Sequence, residues 1–370
     1  MTIALEYLPD QLYRSLQSES PVWIFGAGSF GRAVARACFK RDIAVAGFVQ
    51  TKPTQSVVDG NPVRSLNDLT ASDRGMPLLM GVFNRDMPLD GLGSLVNDAG
   101  LKHVLMPWHL HALFEQELGW RYWLQSPEFL IAHTTDLNRV QERLADDTSR
   151  ECLKRLVQFR LGKNLGYASF SDPEPQYFND LTLSTLRSKP FTYLDGGAYH
   201  GDSLRALMEH GVSLDRTLLF EPDPGNYSKL TREVRSADIQ SICLPLALSD
   251  RYQLQRFSGG QGEAAHLSLE GDCTIATVAL DDVLFGQKVD FIKLDVEGSE
   301  ADALKGAKET LRTQRPVLAI SCYHKPEDLW SLPDLIDSLV SDYRLHFRQH
   351  AFNSFELVLY GIPSEKSSQS

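Results

Sequence analysis

Two apolar runs in this chain each end in a cluster of glycines, and that pattern restricts the fold more tightly than any other feature of the 370 residues. The first run, Val22 to Phe25, leads into Gly26-Ala27-Gly28-Ser29-Phe30-Gly31; helical spacing follows through RAVARACFKR, then a further apolar run, Ile43 to Val49. The second, Phe191 to Leu194, leads into Asp195-Gly196-Gly197-Ala198-Tyr199-His200-Gly201-Asp202. A strand that turns through glycines into a helix lets a ligand approach the bare backbone, and the helix N-terminus offers it free N–H groups. Strand, glycine turn, helix, strand is the opening of a parallel sheet. At roughly 150 residues per domain, the length suits two such units.

The chain organises around these two turns. Residues 1–108 read as a first, smaller α/β domain, with further strands at Pro77–Phe83 and His103–Met106 and a turn-rich stretch over 51–75. Residues 109–168 carry apolar positions at spacings of three and four, among them Leu137, Val140, Leu144, Leu153, Leu156 and Val157, as an amphipathic helical connector would. Residues 169–363 read as the second domain. Its strands are expected at Phe191–Leu194, Thr217–Phe220, Ile239–Leu246, Asp290–Leu294 and Val317–Cys322, and its helices at 202–210, 224–235, 299–313 and 327–341. Residues 345–348 and 355–360 suit a closing antiparallel pair, and 364–370 a polar tail.

Charge and composition exclude several classes. Lysine plus arginine is 37 against 48 aspartate plus glutamate, a net charge of −11, so the broad positive field of a nucleic-acid binder is missing. No apolar run approaches the roughly 20 residues needed to span a bilayer, and the N-terminus lacks a basic start followed by an apolar stretch. Five scattered cysteines with no C-x-x-C pair argue against a disulfide framework and a zinc site. A cytoplasmic protein without membrane insertion is expected.

The two turns carry different chemistry. GAGSFG has the glycines of a dinucleotide fingerprint, but the next strand ends in Val49-Gln50-Thr51-Lys52, without the acid that would hold an NAD ribose. A phosphorylated NADP ribose beside Lys52, or a scaffold with no nicotinamide chemistry, both remain open. The second turn has an acid, Asp195, on its strand, and the following strand ends in Glu221, 26 residues on. Two carboxylates at successive strand ends suit S-adenosylmethionine: one for the ammonium group, one for both ribose hydroxyls. A third strand ends at Asp295, before Val296-Glu297-Gly298-Ser299-Glu300, and a fourth near His324. Glu297 and Glu300 also suit a helix N-terminus. Asp295 with Glu297 would be a hard-oxygen pair for Mg²⁺, but no third ligand is evident, so no metal is assigned. His324, with a pKa near the operating pH, is the first choice for a general base and Asp295 the second.

These motifs resemble known families. WIFGAGSFGRAVARACFKRDIAVAGFVQ with DGNPVRSLNDL resembles the N-terminal domain of nucleotide-sugar-modifying acyltransferases, which implies a nucleotide-sugar at Gly26, Gly28, Ser29, Phe30 and Gly31. YLDGGAYHGDSL, LFEPDPGNYSKL, LPLALSD, VALDDVL, DFIKLDVEGSEADALKGAKETL and VLAISCYHKPEDLW together resemble the FkbM family of S-adenosylmethionine-dependent methyltransferases, over residues 176–360. The resemblance implies a class I methyltransferase domain, a Rossmann-like seven-stranded sheet whose last strand is antiparallel. It implies that Asp195, Gly197 and Gly201 hold the methionine part, Glu221 the ribose, and Asp223 and Ala247 the adenosine, with Asp295 near the methyl and the acceptor. Ala198, Tyr199, Asp202 and Pro222 complete the expected cofactor contacts, and Tyr177 and Phe178 are candidates for a lid.

The expected function is O-methylation of a hydroxyl on a sugar, glycan or natural-product acceptor, the first domain helping to bind that acceptor or a nucleotide-sugar. The alternatives are an NAD(P)-linked oxidoreductase, or a non-catalytic nucleotide- or glycan-binding module, built on the first turn. Acceptor identity and oligomeric state are not encoded in these patterns.

Overall fold

The computed structural model describes residues 16, 20–168, 170–237, 239–258, 266–267, 273–284 and 286–367. Most of the polar leader, and residues 368–370 of the expected tail, lie outside the described residues. The chain divides into two compact units that alternate along it. The first comprises Met1–Asn138, Leu153–Ser171 and Ala351–Phe355; the second comprises Arg139–Cys152, Asp172–His350 and Glu356–Ser370. The stretch 109–168, expected as a connector, is therefore shared: 139–152 go with the second unit and the rest with the first. Its helices are Pro107–Leu118, Pro127–Ala132, Thr134–Arg143 and Asp147–Arg160.

The first unit is built on a six-stranded sheet of β1 (Val22–Phe25), β2 (Val45–Gln50), β3 (Val57–Val58), β4 (Asn61–Ser65), β5 (Leu78–Met80) and β6 (Val104–Leu105). The spatial order is β3-β4-β2-β1-β5-β6, parallel except for the β3–β4 pair. That pair is a hairpin inside the stretch read as turns, closed by Asp59-Gly60, the dipeptide that favours a two-residue hairpin loop. Helix Ser29–Lys40 buries Phe30, Ala33, Val34, Ala37 and Cys38, the i, i+3, i+4 stripe of an amphipathic helix. It sits so close to the glycine turn that a Cβ on Gly31 would lie 2.0 Å from the Gly26 carbonyl oxygen.

The second unit holds a seven-stranded sheet and a four-stranded one. Its strands are β7 (Phe191–Gly196), β8 (Leu214–Phe220), β9 (Ser241–Leu244), β10 (Ala247–Ser249), β11 (Gln253–Ser258), β12 (His266–Leu267), β13 (Cys273–Ala279), β14 (Phe291–Leu294), β15 (Val317–Ser321), β16 (Tyr343–Gln349) and β17 (Leu357–Pro363). The large sheet runs β16-β17-β15-β14-β7-β8-β9. Only β17 opposes the others, pairing antiparallel with β15 and β16. This is a Rossmann-like sheet with one antiparallel strand, as expected for the second domain. Its centre is apolar: Tyr193, Phe291, Phe178, Leu219 and Tyr360 are buried together. The small sheet, β10-β13-β11-β12, was not anticipated, and the run expected over Ile239–Leu246 ends two residues early, with β10 starting afresh at Ala247. The helix expected over 299–313 is two, Glu300–Lys305 and Lys308–Gln314, broken where Gly306 packs on the backbone of Ser249. The start of the expected tail, Ser364–Ser367, is a short helix, and its Glu365 pairs with Arg315 at 2.5 Å. No helix among the described residues is long and apolar enough to cross a membrane, and all five cysteines are free thiols.

The contact at Gly31 sets a stability test. Gly31→Ala forces a methyl against backbone and should cost about 1–3 kcal/mol of first-unit stability. Gly93→Ala, inside helix Leu89–Asp98 with nothing within 4 Å of the new methyl, should raise it by up to about 1 kcal/mol. Urea unfolding of the two variants reads both.

Candidate active site

Four parallel strands of the large sheet end on one rim, and the sequence-predicted residues follow them directly. Asp195 and Gly196 close β7; Glu221 follows β8; Asp295 follows β14; Cys322, Tyr323 and His324 follow β15. In an open parallel sheet this rim is where ligands bind. The glycine turn is stitched to its neighbours. Gly197 adopts φ +80°, and a Cβ there would lie 1.9 Å from the Asp295 carbonyl oxygen, so the turns after β7 and β14 meet backbone to backbone. Gly197 and Ala198 donate their N–H groups to Phe220 O. Tyr199 N donates to Glu221 Oε2 and Asp223 N to Glu221 Oε1, each at 2.9 Å.

Glu221 is thus a buried carboxylate with one backbone N–H on each oxygen. Burial pushes its carboxyl up to about 7, outweighing those two donors. Asp223 caps helix Pro224–Ser236 through Gly225 N and Asn226 N. Pro222 lies half-buried between these two acids. Gly201 precedes helix Asp202–Glu209, whose first residue, Asp202, is exposed. Ala247 opens β10.

Asp195 occupies a different environment from the one expected. Its side chain is fully buried, 2.9 Å from Lys293 Nζ through Oδ1 and accepting from Tyr193 Oη through Oδ2 at 3.1 Å. It is an internal ion pair, not a group open to a ligand. Lys293 also donates to the Gly197 carbonyl at 2.9 Å and lies over the Tyr177 ring, 5.3 Å from its centroid. Burial holds the Asp195 carboxyl up at about 6 despite the lysine. Lys293 is the functional residue that sequence reasoning missed. Its signal was there, since a lysine inside the apolar strand FIKL requires a buried acid as partner.

The rim's other half is a cluster around His324, which is fully buried. Glu300 Oε1 is 2.9 Å from His324 Nδ1, while Asp295 Oδ1 and Glu297 Oε2 lie 3.5 and 3.4 Å from Nε2. Glu300 also accepts from Val296 N at 2.9 Å. Asp295 Oδ2 accepts from Tyr177 Oη at 3.1 Å, and that hydroxyl is 3.2 Å from Ser321 Oγ. Tyr323 Oη lies 3.5 Å from Asp295 Oδ1 and 3.4 Å from Glu356 Oε1. Burial works against charge on His324, but Glu300 and Glu297 outweigh it and hold the imidazole well above its usual pKa. The ring thus sits among three carboxylates that favour its protonated form, Glu300 on Nδ1 and Asp295 and Glu297 on the Nε2 side. Burial likewise opposes Asp295, yet Lys293, His324 and the hydroxyls of Ser321 and Tyr177 keep its carboxyl below the ordinary range. Burial pushes Glu297 up to about 8. Glu297, weighed in sequence as a helix-end charge or as Mg²⁺ partner of Asp295, and Glu300, weighed as a helix-end charge, are both parts of this cluster. His324 and Glu300 supply the further potential ligands that the Asp295–Glu297 pair lacked.

The lid candidates separate. Phe178 is a core residue, edge-on to Tyr193 and Phe291, whereas Tyr177 reaches the cluster through its hydroxyl. In the first unit, Gly31 is taken up by helix packing, Phe30 is buried against Phe83, and Gly28 has open space beside it. Ser29 begins the helix, whose N-terminus has no side-chain cap, and Gly26 turns at φ +93° against Val82.

Raised acid pKa values fix a sign. Asp195, Glu221 and Glu297 bind protons more tightly in the fold than in the unfolded chain. Their contribution is fully present below pH 4 and is lost as pH rises through about 6, 7 and 8 respectively. The ligand-free chain should lose stability as pH rises from about 4.5 to 8, with on the order of 3 kcal/mol from Glu221 alone already lost by about pH 7. Urea denaturation across that range measures it; a flat or rising profile contradicts the assignment.

The fold and part of the sequence have counterparts. The structure is similar to the crystal structure of the methyltransferase FkbM from Methylobacillus flagellatus KT, with a TM-score of 0.77 and 23% identity, over 95% of this chain and 92% of that one. At that identity the likeness is one of fold. A CurJ carbon methyltransferase aligns at a TM-score of 0.30 and 9% identity, over 64% of this chain and 70% of that one, too loosely to carry an argument. No curated protein matches the sequence. Residues 195–352, from the first acid of the second glycine turn through Glu221, Asp295 and His324, match the family model of the methyltransferase FkbM domain.

Proposed function

We propose that the chain transfers the methyl group of S-adenosylmethionine to a hydroxyl oxygen of a sugar, glycan or natural-product acceptor. The observation that carries this reading is Glu221, a buried carboxylate at the end of β8 hydrogen-bonded to the backbone of the glycine turn after β7. Each of its oxygens keeps a further lone pair, the pattern needed to accept from both hydroxyls of a ribose. The acid-rich rim suits a ligand with ammonium and sulfonium charges. S-adenosylmethionine, when bound, supplies a methyl group already activated on a positive sulfur.

The chain's own residues then have three tasks. Glu221, Asp223 and Ala247 orient the adenosine. The turn Gly197–Gly201 presents its backbone to the methionine end, and Asp195 fixes that turn from inside through Lys293. Asp295, with Tyr177 and Tyr323 bracing its carboxylate, faces the acceptor. Its hydroxyl is aligned there for in-line displacement, where orientation and exclusion of water account for much of the rate. The hydroxyl proton enters the cluster of Asp295, Glu297, Glu300 and His324.

Titration calorimetry of the intact chain tests the reading. S-adenosylmethionine and S-adenosylhomocysteine should both bind, more tightly at pH 8 than at pH 6 as Glu221 ionises. Glu221→Ala should weaken both at least tenfold, about 1.4 kcal/mol. Failure of both ligands to bind at millimolar concentration overturns it. Incubation with hydroxylated acceptors should release S-adenosylhomocysteine and form a methyl ether; a methyl found on nitrogen or carbon would retain the transferase and discard the hydroxyl.

A further inference from the structure

Asp295, Glu300 and His324 each present a potential ligand atom within 4.8 Å of the others, and Glu297 joins them at 3.4 Å from His324 Nε2. We propose that this cluster binds a divalent transition-metal ion of the Zn²⁺ type through His324 Nε2, Asp295 and Glu297, with Glu300 orienting the imidazole from its other side. The inference rests on the methyltransferase reading for the ion's purpose, not for its existence.

The two nitrogens of the ring decide the division of labour. Glu300, 2.9 Å from Nδ1, takes the N–H on that side. A carboxylate on the far nitrogen is the usual partner of a metal-binding histidine, fixing its tautomer and raising its basicity. Nε2 is then turned toward Asp295 Oδ1 and Glu297 Oε2 at 3.5 and 3.4 Å. Those separations exceed an ordinary hydrogen bond. Each is the separation, roughly 3.3–3.6 Å, between a ring nitrogen and one carboxylate oxygen on a four-coordinate ion with bonds of about 2.0–2.2 Å. Glu297 Oε2 is shielded from solvent and receives no hydrogen bond among the described atoms. Asp295 is held from its other side by Tyr177. Mixed imidazole and carboxylate donors favour Zn²⁺, Mn²⁺ or Fe²⁺ over Mg²⁺, which prefers oxygen alone. Three protein ligands leave one position open, as in catalytic zinc sites.

That position suits the acceptor hydroxyl. Coordination draws charge from its oxygen and eases transfer of the O–H proton to a carboxylate of the same cluster. The oxygen lone pair then forms the new C–O bond as the C–S bond breaks, its electron pair leaving with sulfur as a neutral thioether. Atoms and charge balance without an oxidant or reductant.

The test uses the intact chain stripped with a chelator. Zn²⁺ should bind at one equivalent by calorimetry, and Co²⁺ should give the intense visible absorption of a four-coordinate site. Glu297→Gln and Asp295→Asn should each weaken Zn²⁺ at least tenfold and diminish that absorption. Glu300→Gln should weaken binding while keeping the spectrum's shape, as expected of a positioning residue. Absence of stoichiometric binding overturns the proposal, as does binding unchanged in Asp295→Asn, the variant at the most exposed of these positions. S-adenosylmethionine binding measured on the same samples separates the two readings. Zn²⁺ without S-adenosylmethionine would sink the function and keep the site; the reverse would sink the site alone.

Discussion

A single buried cation, Lys293, organises the rim of the second unit. An ammonium group inside a sheet costs several kcal/mol unless it is paired and hydrogen-bonded. Here it meets Asp195, the Gly197 carbonyl and the face of Tyr177 at once. Those contacts hold β14 to β7 beyond the ladder between them and fix the glycine turn. With the turn fixed, Gly197 and Ala198 reach the end of β8, and Tyr199 reaches Glu221. Asp295, two residues after Lys293, inherits its position from the same anchor.

Strain gathers at the same place. Tyr177, Tyr199 and Glu297 all adopt positive φ, at 64°, 46° and 53°. Each such conformation costs on the order of 1–3 kcal/mol and persists only where its surroundings over-determine it. The Tyr177 hydroxyl is held by Asp295 and Ser321, Tyr199 N by Glu221, and the Glu297 turn by the bond from Val296 N to Glu300. The bent turn directs Glu297 at His324 instead of into solvent beside the helix.

The sequence made the frame of the second unit legible because its strands are short apolar runs stopped by an acid and glycines, a local signal. Phe191–Gly196, Val317–Ser321 and the helix at 224–236 fell within a residue or two of expectation for that reason. β11, QLQRFS, carries too little apolar character to announce a strand; it exists because β13 pairs with it. The surroundings of Asp195 and His324 were not legible for a related cause. Both were correctly placed at strand ends, but their partners, Lys293 and Glu300, stand 98 and 24 residues away, and partners decide protonation. Phe178, a lid candidate because it lies just before the domain, packs edge-on against Tyr193 and Phe291, contacts that no local pattern announces.

The alternation of the two units along the chain has a genetic consequence. The polypeptide passes from one unit to the other five times, and the last excursion into the first unit is only Ala351–Phe355, between β16 and β17. No single stop codon or start site separates the units: any truncation that frees one also removes part of the other. Synthesis must therefore run past residue 355 before either unit has all of its chain. A gene fusion or split-protein design should accordingly take the whole chain as its smallest portable piece.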